Sequence, residues 1–351
     1  MSTPFAGLTS NEGSTSEEDI DYNLAVVSSS LSILGAFFII LRYLGMSQYA
    51  PNKAEESTLL PANNSSAGHG RWMYRTLIFF LSIADMGTAI VYTINSLVDL
   101  SSAGCDTVGV LGIYFPVTSF LLTDCIAYAT YRLSFGNSVP KLLGMLLFSF
   151  LFPLLPIAAI LALHLEGNDT RYTGGWCWIR GSSHKGELLG QMLLAGKAIE
   201  WISCFFFVPI TSWMVTKRIR RINRETEAYY ADALGGDKNS PAVRNMELSD
   251  SPQIGMDAPT HRRLPSTDVV KATAILKTLH SRLIALPVLF VLARLPGNAT
   301  CIVSLVASDK YVPDWLHGAQ AVGDPLQGFI NFCLFVLLSV QARKWFLCMR
   351  D

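Results

Sequence analysis

Seven apolar runs, each of roughly 20 or more residues, set the terms for this chain of 351 residues. They read as Tyr22–Leu44, Tyr74–Leu97, Val108–Leu133, Leu142–Leu165, Leu188–Val215, Leu279–Val306 and Leu316–Val340. A helix of about 20 apolar residues spans the ~30 Å hydrocarbon core of a bilayer. Composition agrees with that reading. The chain is 50% hydrophobic and only 15% charged, with a mean hydropathy of +0.35, where soluble domains carry about 25% charged residues. The expected fold is an all-α membrane protein, a bundle of seven transmembrane helices.

The formal net charge is zero, so orientation rests on where the charges lie. The segment 1–21 is polar, acidic and free of Lys and Arg, as is the short link between the second and third runs. The links around Cys177 and Lys310 carry only Arg171, Arg180, Lys185 and Lys310. The alternate links and the end of the chain are basic, with Lys217, Arg218, Arg220, Arg221, Arg224, Arg262, Arg263, Lys271, Lys277, Arg343 and Lys344. Cytoplasmic loops hold the excess of Lys and Arg, which places the amino terminus outside and the carboxyl terminus inside. Without a basic n-region or cleavage site, the first helix is expected to act as its own insertion signal.

The chain therefore divides into an extracellular tail (1–21), a seven-helix domain (22–340) and a short cytoplasmic tail (341–351). Two long cytoplasmic loops are expected. The first, 45–73, has the Pro, Asn, Ser and Gly content of a mobile loop. The second, 216–278, begins as a basic extension of the fifth helix and becomes a Gly-, Ser-, Pro- and Asp-rich linker of disordered type. Basic residues alternate with Trp345, Phe346 and Leu347 in the tail, as in a short amphipathic helix on the inner leaflet. Cys348 is then a candidate for palmitoylation, against an unmodified thiol in a frayed tail. Asn168-Asp169-Thr170 falls on an outer loop and is the candidate glycosylation acceptor.

Of seven cysteines, Cys125, Cys204, Cys301 and Cys333 fall inside the runs, where thiols act as small apolar packers. Cys105 and Cys177 both fall at the outer face, where oxidising conditions permit a disulfide between them. Cys177 stands between Trp176 and Trp178. Two readings are open for those rings: an interfacial aromatic belt, or a lid over a ligand pocket. No metal-ligand spacing occurs, and neither a catalytic set nor a cofactor is indicated.

Ionisable side chains within a span are costly and mark candidate sites. Lys197 and Glu200, three residues apart on one helical face, join His317 and Asp324 as candidate ligand-binding residues. Asp85, Asp124, Arg294 and Asn331 form a candidate polar switch below them. The alternative is that these groups only neutralise one another, Lys197 with Glu200 being the obvious pair. Pro296 removes a hydrogen bond from the sixth helix and should kink it. Arg132, at the inner end of the third helix, is either a snorkelling edge residue or, with Lys217, Arg218, Arg221 and Lys277, part of a cytoplasmic contact surface.

Several short stretches carry a family resemblance: Leu81-Ser82-Ile83-Ala84-Asp85, Gly175-Trp176-Cys177-Trp178-Ile179, Gly196-Lys197 with Glu200, Arg294-Leu295-Pro296, His317-Gly318, Gln327-Gly328 and Phe335-Val336-Leu337. On these the chain resembles the G-protein-coupled receptors of the cyclic-AMP-receptor-like group, most closely an orphan-receptor type. The resemblance implies a cell-surface receptor with a heterotrimeric G protein and an unknown extracellular ligand as partners, embedded in the lipid bilayer, with no role for nucleic acid. Two rival classes share the architecture. A retinal protein needs a lysine in the last helix, and Leu316–Val340 has none. A transporter or proton channel would use Asp85, Asp124, Glu200 and Asp324 as relays.

Overall fold

The computed structural model describes residues 15–48, 65–97, 102–135, 140–168, 177–179, 185–235, 267–306 and 312–338. Seven helical rods account for nearly all of them. α1 is Thr15–Gln48, α2 is Ser65–Leu97, and α3 is Ser102–Ser134. α4 comprises Leu142–Leu151 and Leu154–Ala162, parted at Pro153, whose ring nitrogen has no hydrogen to donate. α5 runs from Lys185 to Gly235 and contains two π-helical turns, Leu193–Lys197 and Ser203–Phe207. α6 is Thr267–Val306, with Pro287 and Pro296 inside it. α7 comprises Asp314–Gly323 and Gln327–Leu338, parted by a turn at Asp324–Leu326.

Six stretches within these rods are long and apolar enough to cross a bilayer unbroken: Asn23–Gly45, Trp72–Leu97, Gly104–Ser134, Leu142–Ala162, Leu189–Ile222 and Pro287–Val306. The seventh run is divided, so that only Gln327–Val336 stands as a short apolar helix. Its two halves together reach from Asp314 to Leu338, about 37 Å at 1.5 Å per residue. The reason for the division is chemical. Pro325 follows Asp324 directly, and Asp324 is drawn toward a buried arginine described below.

The helices close into a bundle in which α3 lies at the centre, touching α2, α4, α5 and α6, while α7 touches α1, α2 and α6. Large apolar side chains point both inward and outward. Leu77, Leu81, Leu122, Ile126 and Met145 fill the α2–α3–α4 core. Leu34, Leu143, Leu155 and Phe206 are each more than 60% exposed, which suits hydrocarbon rather than water as their surroundings. Between apolar helices in lipid, close packing replaces the hydrophobic effect as the source of cohesion, and small residues supply it. Ser28, Ser29 and Ser32 of α1 are buried against α7, and a side chain at Gly328 would meet Ser32 Oγ at 2.5 Å. Ser28 Oγ donates to the Ala321 carbonyl at 3.2 Å, and Ser32 Oγ accepts from the Phe329 N–H at 3.2 Å. Those two bonds flank the break in α7, where backbone groups lose helical partners.

Several expectations from the sequence change. The expected all-α bundle is present, and to it is added one short hairpin in which Glu166–Asn168 (β1) pairs antiparallel with Cys177–Ile179 (β2), with Asn168 opposite Cys177. The expected loop at 216–278 is helical as far as Gly235 and again from Thr267. Residues 225–234 are mostly Ala, Glu, Tyr and Leu, with no Gly or Pro before Gly235-Gly236, so intrinsic propensity carries the helix on. Pro265 stands just before the start of α6, where proline does no harm. Likewise the expected loop at 45–73 is helical at both ends, to Gln48 and from Ser65. The expected helix at 341–351, with Cys348, and the Ser-Pro linker lie outside the described residues.

Candidate functional site

At one end of the bundle Cys105, in the first turn of α3, is bonded to Cys177 of β2, with Cα atoms 5.1 Å apart. The expected disulfide is therefore present. Both cysteines pack among Val91 and Val108, and the Cys177 N–H donates to Asn95 Oδ1 of α2 at 3.3 Å. The hairpin is thus tied to two helices, and its Cys177 forms part of a cavity wall. Beneath Cys177 is a cavity of ≈ 100 Å³ with Tyr92 and Asn95 on one wall, Val117 and Phe120 on a second, and Lys197, Glu200, Arg294 and Asp324 among the rest.

Local backbone chemistry puts Lys197 on that wall. The π turn Leu193–Lys197 contains Gly196 at φ 95°, where side chains are strained. A Cβ at Gly196 would also stand 2.6 Å from Val117 Cγ2 of α3. Glycine therefore answers both a conformational and a packing demand. Lys197 Nζ bonds Glu200 Oε2 at 2.7 Å; Glu200 is buried and Lys197 largely so. A buried pair of this kind costs several kcal/mol per ion in desolvation, which close pairing offsets. The same cost explains why neither charge is found alone.

Arg294 is among the largest fully buried side chains. Its Nη1 is 3.3 Å from Asp324 Oδ1, without hydrogen-bond alignment. Nε and Nη2 donate to Gln327 Oε1 at 3.3 and 3.2 Å, and the guanidinium lies 5.1 Å from the centre of the Phe120 ring. The chain of contacts continues inward. Gln327 Nε2 donates to Ser119 Oγ at 2.7 Å, Ser119 Oγ donates to Asp85 Oδ1 at 2.7 Å, and Asn331 Nδ2 donates to Asp85 Oδ2 at 2.6 Å. One connected set of side chains thus crosses from α6 through the turn and second half of α7 to α3 and α2. Its upper end, Asp324 with Arg294, is on the cavity wall.

Helix approach makes the pairing possible. A Cβ at Gly297 would lie 2.8 Å from Asp324 Oδ2, and one at Gly323 would collide with the Ala293 carbonyl oxygen. The two glycines let α6 and α7 meet where α6 carries Pro296 and α7 is broken.

The candidate residues fall into place unevenly. Lys197, Glu200 and Asp324 line the cavity together with Arg294, so the expected upper pocket and lower switch are one continuous system rather than two tiers. His317 is half-buried on α7 and is not on the cavity wall. Asp85, Arg294 and Asn331 belong to the connected set, but Asp124 does not. It accepts from Ser203 Oγ at 2.6 Å, tying α3 to the second π turn of α5. Trp176 lies outside the described residues, and Trp178 is placed only by its backbone in β2. Asn168, the glycosylation candidate, lies in β1. At the other end, Arg132 Nη1 donates to Tyr128 Oη at 3.2 Å, Lys217 lies 5.0 Å over the Trp213 ring, and Arg218 lies 5.9 Å over Phe135. Arg221 is exposed, and the Lys277 side chain is outside the described residues. The sequence reading gave no site role to Gln327, Ser119, Tyr92 or Asn95. Uncharged polar side chains in mid-span were the available signal, since each needs a partner there.

No family model matches the chain. The G-protein coupled receptor 157 of mouse is 26% identical over 302 residues, covering 83% of this chain and 81% of that one. The receptors of the same name from rat and human match at 26% identity as well, with 81% and 79% of their lengths covered. The relatives that match in sequence are thus G-protein coupled receptors. In fold it is similar to squid rhodopsin, with a TM-score of 0.59 at 13% identity, over 95% of this chain and 81% of that one. These likenesses agree with the long apolar helices of a multi-pass membrane protein.

Proposed function

We propose that the chain is a cell-surface receptor that senses a small extracellular ligand in the cavity beneath Cys177 and activates a heterotrimeric G protein. The supporting observation is the direct join between cavity and bundle interior. Asp324 and Arg294 line the cavity and also begin the contact chain that ends at Asp85 and Asn331. A ligand acting on either group bears on α6 and α7 where Pro296 and the Asp324–Leu326 turn have already removed regular helix bonds.

In this reading the disulfide end faces outward, and loosening of the Arg294–Asp324 contact lets the opposite end of α6 swing away from the bundle. The ligand can move that equilibrium only by its preference for the open form. Arg132, Lys217, Arg218, Arg221 and Lys277 then border the cleft that a Gα subunit enters. Asp85, Asn331, Gln327 and Ser119 relay the change between helices, while Asp124 holds α5 to α3. The test is nucleotide exchange on purified Gα subunits by the chain reconstituted in lipid. Exchange above that of empty membranes supports the receptor reading. Proton or ion flux into liposomes, with no exchange on any Gα class, favours a transporter that uses the same carboxylates.

A further inference from the structure

We infer that the ligand is a small zwitterion, a molecule of about six heavy atoms carrying both an ammonium and a carboxylate group; this inference rests on the receptor reading above. Size is the first argument. A cavity of 150 Å³ lined by apolar side chains takes up benzene, with its six heavy atoms. The ≈ 100 Å³ beneath Cys177 therefore suits a ligand group of that size.

Charge is the second. Two bases and two acids, Lys197, Arg294, Glu200 and Asp324, share the wall, so the formal charge of the cavity is zero. A ligand of net charge would leave one charge without a counter-ion in a medium that solvates it poorly. A ligand without charges would forgo the four strongest groups on the wall. A zwitterion does neither.

The third argument is the state of the pairs. Glu200 Oε1 has no hydrogen bond although Glu200 is only 4% exposed, and Asp324 Oδ1 faces Arg294 Nη1 at 3.3 Å without hydrogen-bond alignment. Buried oxygens that are incompletely bonded are costly. An ammonium group brings three N–H donors, and a carboxylate can accept from Lys197 or Arg294 in return. Both oxygens are enclosed, so such a ligand binds by inserting between acid and base. It replaces protein–protein pairing with protein–ligand pairing at no change in total charge. Insertion at Arg294–Asp324 is also a direct way to part α6 from α7.

The experiment compares four probes at millimolar concentration on the purified chain in lipid nanodiscs: glycine, β-alanine, methylammonium and acetate. A ligand that binds only the folded form raises the unfolding temperature with its concentration. Glycine or β-alanine should raise it at concentrations at least tenfold below those at which methylammonium or acetate has any effect. The double variant Lys197→Gln with Glu200→Gln, which keeps the net charge at zero, should lose that response by tenfold or more. Equal responses to methylammonium or acetate, or no response to either zwitterion, would overturn the inference, and this comparison needs only the unaltered protein. Ligand-independent exchange on Gα, measured on the same samples, decides the receptor reading separately.

Discussion

Replacing Gly297 with alanine places one methyl group against the most consequential contact in the bundle. The new Cβ would stand 2.8 Å from Asp324 Oδ2 and 2.9 Å from Oδ1. Carbon and oxygen do not approach that closely, so the Asp324 carboxylate must move. It is not a free surface group: it is buried, and its Oδ1 lies 3.3 Å from Arg294 Nη1. Alanine is favoured over glycine within a helix by about 1 kcal/mol. Against that gain stands the loss of a buried ion pair, about 3–5 kcal/mol when one charge is left uncompensated. The net expectation is destabilisation by about 2–4 kcal/mol, measured as a lower unfolding temperature in nanodiscs. Where the Arg294–Asp324 contact holds the resting form, weakening it by about 2 kcal/mol raises the open population about 30-fold. Basal nucleotide exchange should rise accordingly while expression falls. A Gly297→Ala protein at least as stable as the parent would refute the reasoning, because the approach of α6 to α7 would then not depend on the missing side chain.

Further outcomes follow from the same structure. Cys105→Ser, or reduction of the Cys105–Cys177 bond, should cost about 2–5 kcal/mol and abolish the ligand response, whereas Cys204→Ser should leave the response in place; the check is thermal unfolding with and without reductant. Gly196→Ala combines strain at positive φ with the Val117 contact, and should destabilise by more than 1 kcal/mol, against the usual gain for alanine in a helix. Asp85→Leu removes the acceptor of both Ser119 and Asn331 and should cost about 1–3 kcal/mol for each buried donor left unpaired, seen as a lowered midpoint in heat or detergent. Removal of N-linked sugar should shift the electrophoretic mobility of the wild type and leave Asn168→Gln unmoved; a sugar in the 45–73 segment instead, where Asn63-Asn64-Ser65-Ser66 also matches an acceptor, would reverse the orientation.

The spans were legible because hydrocarbon imposes a simple length rule on apolar runs, and six helices follow it without interruption. The seventh obeyed it in composition and departed from it in backbone. Pro325 marked a weak point, but the meeting of Asp324 with Arg294 at that turn is a contact between helices that no local pattern encodes. The π turns in α5 were invisible for the same reason. Gly196 is an ordinary residue in sequence, and only its positive φ and its nearness to Val117 give it meaning. Charges within spans drew attention to Lys197, Glu200, Arg294 and Asp324 because burial of an ion is costly wherever it occurs. Their partition into a pocket and a switch was not legible, since Gln327 and Ser119 bridge the two as uncharged residues. Asp124 shows the converse. It is an ionisable residue at the right depth, but its partner is Ser203 on α5, and it stands apart from the set to which Asp85 belongs.

The central claim is that the cavity and the G-protein face are coupled through Arg294 and Asp324. Its most direct test is the rate of nucleotide exchange on a purified Gα subunit by the lipid-reconstituted chain, compared with Gly297→Ala. The account predicts exchange above the empty-membrane rate, raised further in the variant. Equal rates for both proteins and for empty membranes, across all Gα classes, would contradict it.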